Sequence, residues 1–269
     1  MVESDADFQA LTRTIQKILG FQCGSYKEDY IKRRVLSRMR ITGKSDFKEY
    51  NAYVLANADE QESLRNALTV NVTKFYRDKE VFDVVKNEII PSIIAEKGRM
   101  RIWSAGCSTG EEPYTLALII SDALRLRTDV PVTIFASDID REVLKKAREG
   151  IYDKRSLENL TETQISRHFN HLENGKYQVK DHLKSMIRFS QHDLLGGRAV
   201  TNFLDMVLCR NVTIYFTEKQ KDDLARMFHP ALVPDGYYIM GKTEFMGREV
   251  EDLYTPYNAL QKIYRKKQQ

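Results

Sequence analysis

The stretch Arg101–Ile120, RIWSAGCSTGEEPYTLALII, most narrows what this chain can become. Arg101-Ile102-Trp103-Ser104-Ala105 is short, apolar and β-prone. Gly106 and Gly110 punctuate the run, and Pro113 falls in what would be a first helical turn, where a missing N–H costs little. The pattern predicts a buried strand, a tight turn and a helix. Such a turn brings bare backbone and the unpaired N–H groups of a helix start to the carboxyl edge of a sheet, the usual seat of a nucleotide-like ligand. Two acids, Glu111 and Glu112, open the helix. Either they merely complement the helix dipole, or they face the ligand. In the second case they repel a phosphate and suit a group that is cationic or offers hydroxyls. S-adenosylmethionine meets that requirement better than a dinucleotide.

With 269 residues the chain has room for two modest domains or one large one. A formal net charge of +4 is weak as a global signal, so a basic surface has to be sought locally. Cys23, Cys107 and Cys209 are scattered and odd in number, which argues against a disulfide framework or a zinc site and for a reducing, cytoplasmic compartment. The first residues are acidic and polar, and no apolar run approaches a membrane span, so the expectation is a protein neither secreted nor inserted in a membrane.

From Asp7 to about Val85 the apolar residues recur at spacings of three and four, as in Phe8, Leu11, Ile15, Ile18 and Leu19, which predicts a small helical domain. Within it, Tyr26–Lys44 carries an apolar stripe of Ile31, Val35 and Met39. Helical geometry sets Lys27, Arg34 and Arg38 on one face beside that stripe, and Arg33 and Arg40 on another. This basic rail is either a solvated helix face or a surface for an acidic partner, be it phosphate backbone or a carboxylate-rich protein. Asn71–Asp78 reads as a cap before a helix, with Asn71 or Thr73 taking free N–H groups.

A second apolar strand, Val132–Ser137, ends in Asp138. That acid is either placed for a ribose diol beside the first glycine turn, or it or Asp140 caps the helix Arg141–Glu149. The strand–helix alternation breaks from Ile151 to Ile187, where Asn174-Gly175 between β-tolerant flanks signals a two-residue type I′ hairpin. The segment is expected to be an insert. His168, His171, His182 and His192 lack ligand spacing and read as surface or packing residues. The sheet resumes at Met186–Ser190 and again at Phe203–Cys209, whose polar tail Arg210-Asn211 emerges at the ligand edge. A helix Glu218–Leu232, a turn at Pro234-Asp235-Gly236, a strand Tyr237–Met240 and a closing pair of strands within Leu253–Arg265 complete the reading.

With these pieces in place, NVTKFYRD at 71–78, RIWSAGCSTGEEPYTLAL at 101–118, FASDIDREVLKKAREGIY at 135–152 and CRNVTIYF at 209–216 resemble the CheR family of chemotaxis receptor methyltransferases. The resemblance covers nearly the whole chain. It implies an α/β protein: a small all-helical N-terminal domain, then a Rossmann-like seven-strand methyltransferase sheet with an inserted antiparallel β-subdomain. The expected boundaries are a receptor-docking domain at 1–80, a methyltransferase domain at 81–269 with a linker helix at 81–98, and an insert at about 153–186. The activity implied is methyl ester formation on receptor glutamates, with S-adenosylmethionine as donor and S-adenosylhomocysteine as product. Carried over by position, the cofactor contacts are Asn71, Thr73, Arg77, Glu112, Asp138, Asp193, Leu194, Arg210 and Asn211. Tyr215 joins Arg77 as the catalytic pair. Receptor contacts fall on Lys27, Arg34, Arg38 and Arg40, with Ser37 where the family has another arginine. At 241–244 the chain reads Gly-Lys-Thr-Glu where the family commonly has Gly-His-Ser-Glu, and no role is assigned there.

No metal is expected. The partner implied is the cytoplasmic helices of a receptor, met by a monomer, with no nucleic acid. The short Asn174-Gly175 turn leaves little room for a peptide-holding loop, so docking independent of a receptor tail is expected. The competing class is a nucleotide-fold methyltransferase or binding module that meets RNA or DNA through the basic helix. Against it, that helix lacks the interleaved aromatics of a stacking platform.

Overall fold

A computed structural model describes residues 5–69, 71–124 and 130–268. The chain forms two compact units: residues up to 70 together with 215–220, and residues 71–214 together with 221–269.

The first unit is helical, with α1 (Asp5–Leu19), α2 (Glu28–Thr42), α3 (Phe47–Ala56) and α4 (Ala58–Leu68). Asp46 and Asn57 cap α3 and α4 by accepting the N–H groups of Glu49 and Glu60, and α2 stops where Gly43 turns left-handed. The α1 residues Phe8, Leu11 and Ile15 and the α2 residues Ile31, Val35 and Met39 meet Phe47, Tyr50, Val54, Leu64 and Leu68 in one apolar core. Glu60, 4% exposed, lies inside this unit. It receives Nε and Nη2 of Arg38 at 3.0 and 2.6 Å and the Tyr50 hydroxyl at 2.6 Å. Arg38, expected on the docking face, therefore turns its fork inward, because a buried carboxylate needs a bidentate partner. Arg33 and Arg40 are exposed and Arg34 is half-buried over the Tyr30 ring.

The segment from Tyr215 to Gln220 is part of this unit. Tyr26 and Phe216 form an antiparallel bridge, Lys27 N–H donates to the Tyr215 carbonyl at 2.9 Å, and Thr217 N–H donates to Ser25 at 3.1 Å. The rings of Tyr215 and Tyr30 lie 4.6 Å apart.

The second unit opens with α5 (Lys79–Val84), a π-helical stretch Val85–Ile89 and α6 (Ile90–Glu96). There follow β1 (Met100–Ala105), α7 (Glu111–Leu124), β2 (Val132–Asp138), α8 (Arg141–Glu149), β3 (Ile151–Tyr152), α9 (Glu162–His168), β4 (Phe169–His171), β5 (Tyr177–Val179) and α10 (Asp181–Lys184). The chain ends through β6 (Ile187–Gln191), β7 (Leu204–Cys209), α11 (Glu218–Ala231), β8 (Leu232–Met240), β9 (Tyr254–Asn258) and β10 (Ile263–Lys266). Among the described residues the main sheet has seven strands in the order β6-β2-β1-β7-β8-β10-β9, and β3-β5-β4 form a small antiparallel sheet. Strands from β6 to β8 run parallel, and β10 is antiparallel to both its neighbours. From β1 the chain builds outward to β2 and β6, then returns to place β7 on the other flank of β1. That reversal opens a crevice at the carboxyl ends of β1 and β7. No described helix is long and apolar enough to cross a membrane.

Three local expectations are corrected. The helix after 71–78 starts at Lys79 behind Asp78, which is left-handed (φ 58°) and makes no side-chain cap, so neither Asn71 nor Thr73 caps it. Pro234-Asp235-Gly236 does turn the chain, with Asp235 left-handed (φ 60°), but inside β8 rather than ahead of it: the register with β7 jumps from Leu204 opposite Leu232 to Met206 opposite Tyr237. At the hairpin, Gly175 N–H donates to Leu172 and Leu172 N–H to Lys176, with Gly175 left-handed and Asn174 not. The loop is therefore three residues, Glu173-Asn174-Gly175, rather than a type I′ pair.

Candidate active site

The glycine turn after β1 is tied to the end of β2. Gly106 and Cys107 donate to the Ser137 carbonyl at 2.8 and 2.9 Å, and Ser108 N–H donates to Asp138 Oδ2 at 2.8 Å. Gly106 has φ +81°, and a Cβ there would stand 2.5 Å from Val212 Cγ2, so the turn needs glycine on both counts. Of the two acids left open for capping α8, Asp140 does it, accepting from Glu142 N–H at 2.9 Å. Asp138 instead latches the glycine turn and also accepts Asp140 N–H at 3.0 Å. Burial pushes the Asp138 carboxyl above its ordinary pKa, and the N–H groups of Asp140 and Ser108 pull it back. Glu111 is raised likewise by burial, with the Thr109 hydroxyl opposing.

Arg210, at the end of β7, is the hub of the crevice. Its side chain is 1% exposed and reaches Glu112 Oε2 at 3.1 Å and Asp78 Oδ2 at 2.7 Å. Nη2 also donates to the Arg77 carbonyl at 2.8 Å, and Glu112 Oε1 accepts the Ser104 hydroxyl at 2.8 Å. Nε is buried with no protein acceptor. The segment so held is strained, since Tyr76 (φ 50°) and Asp78 (φ 58°) are both left-handed on either side of Arg77. Arg77 itself is half-buried and donates to the Val72 carbonyl at 2.7 Å.

The remaining expected contacts gather around these two features. Asn71 Nδ2 donates to Asp140 Oδ2 at 2.9 Å, while its carbonyl accepts the Ser108 hydroxyl at 3.2 Å. His192 N–H donates to the Asp138 carbonyl at 2.9 Å, so Asp193 and Leu194 follow directly beside β2, with Asp193 accepting Leu195 N–H. Thr73 is half-buried. Tyr215, by contrast, belongs to the helical unit.

Sequence reasoning missed Glu244. This carboxylate, 1% exposed, accepts five donors: Gly241 N–H at 2.6 Å and Asn211 N–H at 2.9 Å on Oε2, and Thr213 N–H and hydroxyl at 2.7 Å and Ile214 N–H at 3.2 Å on Oε1. Four of the five are main-chain groups, which leave no side-chain signature to read.

The donor set decides what the crevice can hold. Glu111, Glu112 and Asp138 crowd one edge, and the guanidinium set among them is already matched by Glu112 and Asp78. A diphosphate set against these three acids would be repelled, whereas a nucleoside that turns a ribose diol or a cationic group toward them suits the set.

Two family models cover the chain: the CheR methyltransferase all-alpha domain over residues 6–69 and the CheR methyltransferase SAM binding domain over 71–262. The chain belongs to the CheR methyltransferase family.

Relatives of similar length bear this out. The chemotaxis protein methyltransferase of Salmonella typhimurium is 36% identical over 90% of this chain and 84% of its own, and that of Escherichia coli is 35% identical over 90% and 85%. The chemotaxis protein methyltransferase of Borreliella burgdorferi is 33% identical over 88% and 87%. As a CheR-family member the chain is a methyltransferase with an S-adenosylmethionine-binding domain, and these matches lend the nucleic-acid alternative no support.

Proposed function

We propose that this CheR-family enzyme methylates glutamate side chains in the cytoplasmic helices of chemotaxis receptors, releasing S-adenosylhomocysteine, and that it works as a cytoplasmic monomer. The observation that carries the reading is the acid-lined glycine crevice, with the Arg210 guanidinium matched by Asp78 and Glu112, in a chain that matches both CheR domains. Bound there, S-adenosylmethionine supplies an electrophilic methyl group on a sulfonium. Asp138 and Glu112 hold the nucleoside, with Asn71, Thr73, Asp193, Leu194 and Asn211 around it, and Arg210 offers Nε to an acceptor. Arg77 attracts the incoming carboxylate and aligns it with help from the Tyr215 hydroxyl.

No general base is needed. A glutamate is ionised at neutral pH, and bringing a carboxylate to a sulfonium annihilates charge, a step that dry surroundings favour. The work of the side chains is alignment and exclusion of water. Arg77 positions rather than clamps, because a tight bidentate pair would quench the nucleophile.

Docking falls to the helical domain through Lys27, Arg34 and Arg40, with Arg38 contributing the 17% of its side chain that Glu60 leaves exposed. The three-residue loop at 173–175 is still short, which supports docking without a receptor tail. The test is incubation with methyl-labelled cofactor and a receptor signalling domain, followed by alkali. Base-labile label on glutamate is expected; label that resists base, or none, sinks the assignment.

A further inference from the structure

We propose that Glu244 is a positioning residue for methyl transfer, setting Asn211 through Oε2 and the turn that runs into Tyr215 through Oε1; this rests on the function proposed above. The carboxylate joins the carboxyl ends of two neighbouring strands. Gly241 directly follows β8, and Asn211, Thr213 and Ile214 follow β7. Asn211 is left-handed (φ 60°) and a 3-10 turn opens at Thr213, and Glu244 accepts the N–H groups at 211, 213 and 214 where the chain leaves the strand. Gly241 lets the two strand ends close, since a Cβ there would lie 2.5 Å from Glu244 Oε2 and 2.8 Å from Asn211 N. The five donors engage both carboxylate oxygens, two on Oε2 and three on Oε1. The turn is thereby locked by an acceptor whose two oxygens serve two different parts of the proposed site.

Gln at 244 keeps the size but replaces one acceptor oxygen with an NH₂ that must face N–H groups. The experiment measures S-adenosylhomocysteine affinity by calorimetry, single-turnover methyl transfer at saturating cofactor, and melting temperature for Glu244→Gln, Thr213→Val and Thr213→Ser. Glu244→Gln is expected to lose about tenfold or more in the single-turnover rate and to weaken cofactor binding, misplacement of reacting groups being costly. Thr213→Val should be several-fold slower, and Thr213→Ser, which keeps the hydroxyl donor to Oε1, should behave as wild type. A purely structural role would lower the melting temperature and leave the rate and affinity of the folded protein unchanged, which overturns the proposal. Should Glu244→Gln not fold, the two Thr213 variants decide, and equal rates for them overturn it. Binding needs no methyl acceptor, so a wild type that binds cofactor but methylates no receptor sinks the proposed function while the affinity arm still judges Glu244. A wild type that binds no cofactor overturns both.

Discussion

At the carboxyl edge of the sheet Arg210 is 1% exposed and every carboxylate near it has a named partner, whereas along α2 Arg33 and Arg40 stand in solvent on long flexible stems. Both regions are charged, yet the charge does different work. In the crevice, low dielectric makes each contact strong and each missing partner expensive, so the residues set geometry. On the helix, water and salt weaken each pair, and exposed charges of this kind act on association rate more than on a fixed pose. The same residue type therefore calls for different experiments in the two places.

The largest effect should come from Arg210→Met, which strands Asp78 and Glu112; removing one partner of a buried pair costs about 3–5 kcal/mol. Urea unfolding measures it, and an unchanged midpoint would mean that the hub carries no stability. Next comes Tyr215→Phe, expected to lower turnover by about tenfold or more with cofactor affinity retained, because only acceptor alignment is touched. Wild-type single-turnover rates would remove Tyr215 from catalysis. Reversing Lys27 and Arg40 to Glu together should lower kcat/KM for receptor by about tenfold at low salt and less at high salt, through association rate. Cofactor affinity that fell in parallel would break the separation between the two regions.

The smallest effect concerns a third kind of site, the buried His168, 1% exposed with Nε2 3.2 Å from Asp122 and Nδ1 3.0 Å from His182. Burial holds its pKa below the ordinary histidine value despite Asp122. The unfolded chain then takes up a proton near about pH 6.5 that the folded one resists, so stability is full above that pH and declines as pH falls through it. Comparing urea midpoints at about pH 8 and 5.5 should show a slope that His168→Gln flattens. An equal slope in both proteins would assign the acid sensitivity elsewhere.

Much of the crevice was legible because its determinants are local. The run from Arg101 to Ile120 carries a strand, a left-handed glycine and a helix start within twenty neighbouring residues, and the acids lie inside the same motif. Asp138 was readable as the polar end of an apolar strand, although its latch on Ser108 was not, since a main-chain donor has no side-chain signature. Glu244 escaped for the same reason. Arg38 misled because helical periodicity reports only the face of its own helix, while its partner Glu60 sits on α4. At the hairpin, Asn-Gly correctly marked a reversal, and the preceding Leu172 set its length by pairing with Lys176.

The stretch from Tyr215 to Gln220 is counted with the helices although it is encoded far from them. The helical unit is thus not a cassette that ends where its four helices end. A chimera that swaps residues up to 70 between two relatives leaves the host's Tyr215–Thr217 against a foreign Ser25–Lys27, and the bridge between Tyr26 and Phe216 has to be rebuilt from mismatched halves. Exchange of the whole helical unit between such enzymes requires two grafts made together, one up to residue 70 and one six residues long at 215–220.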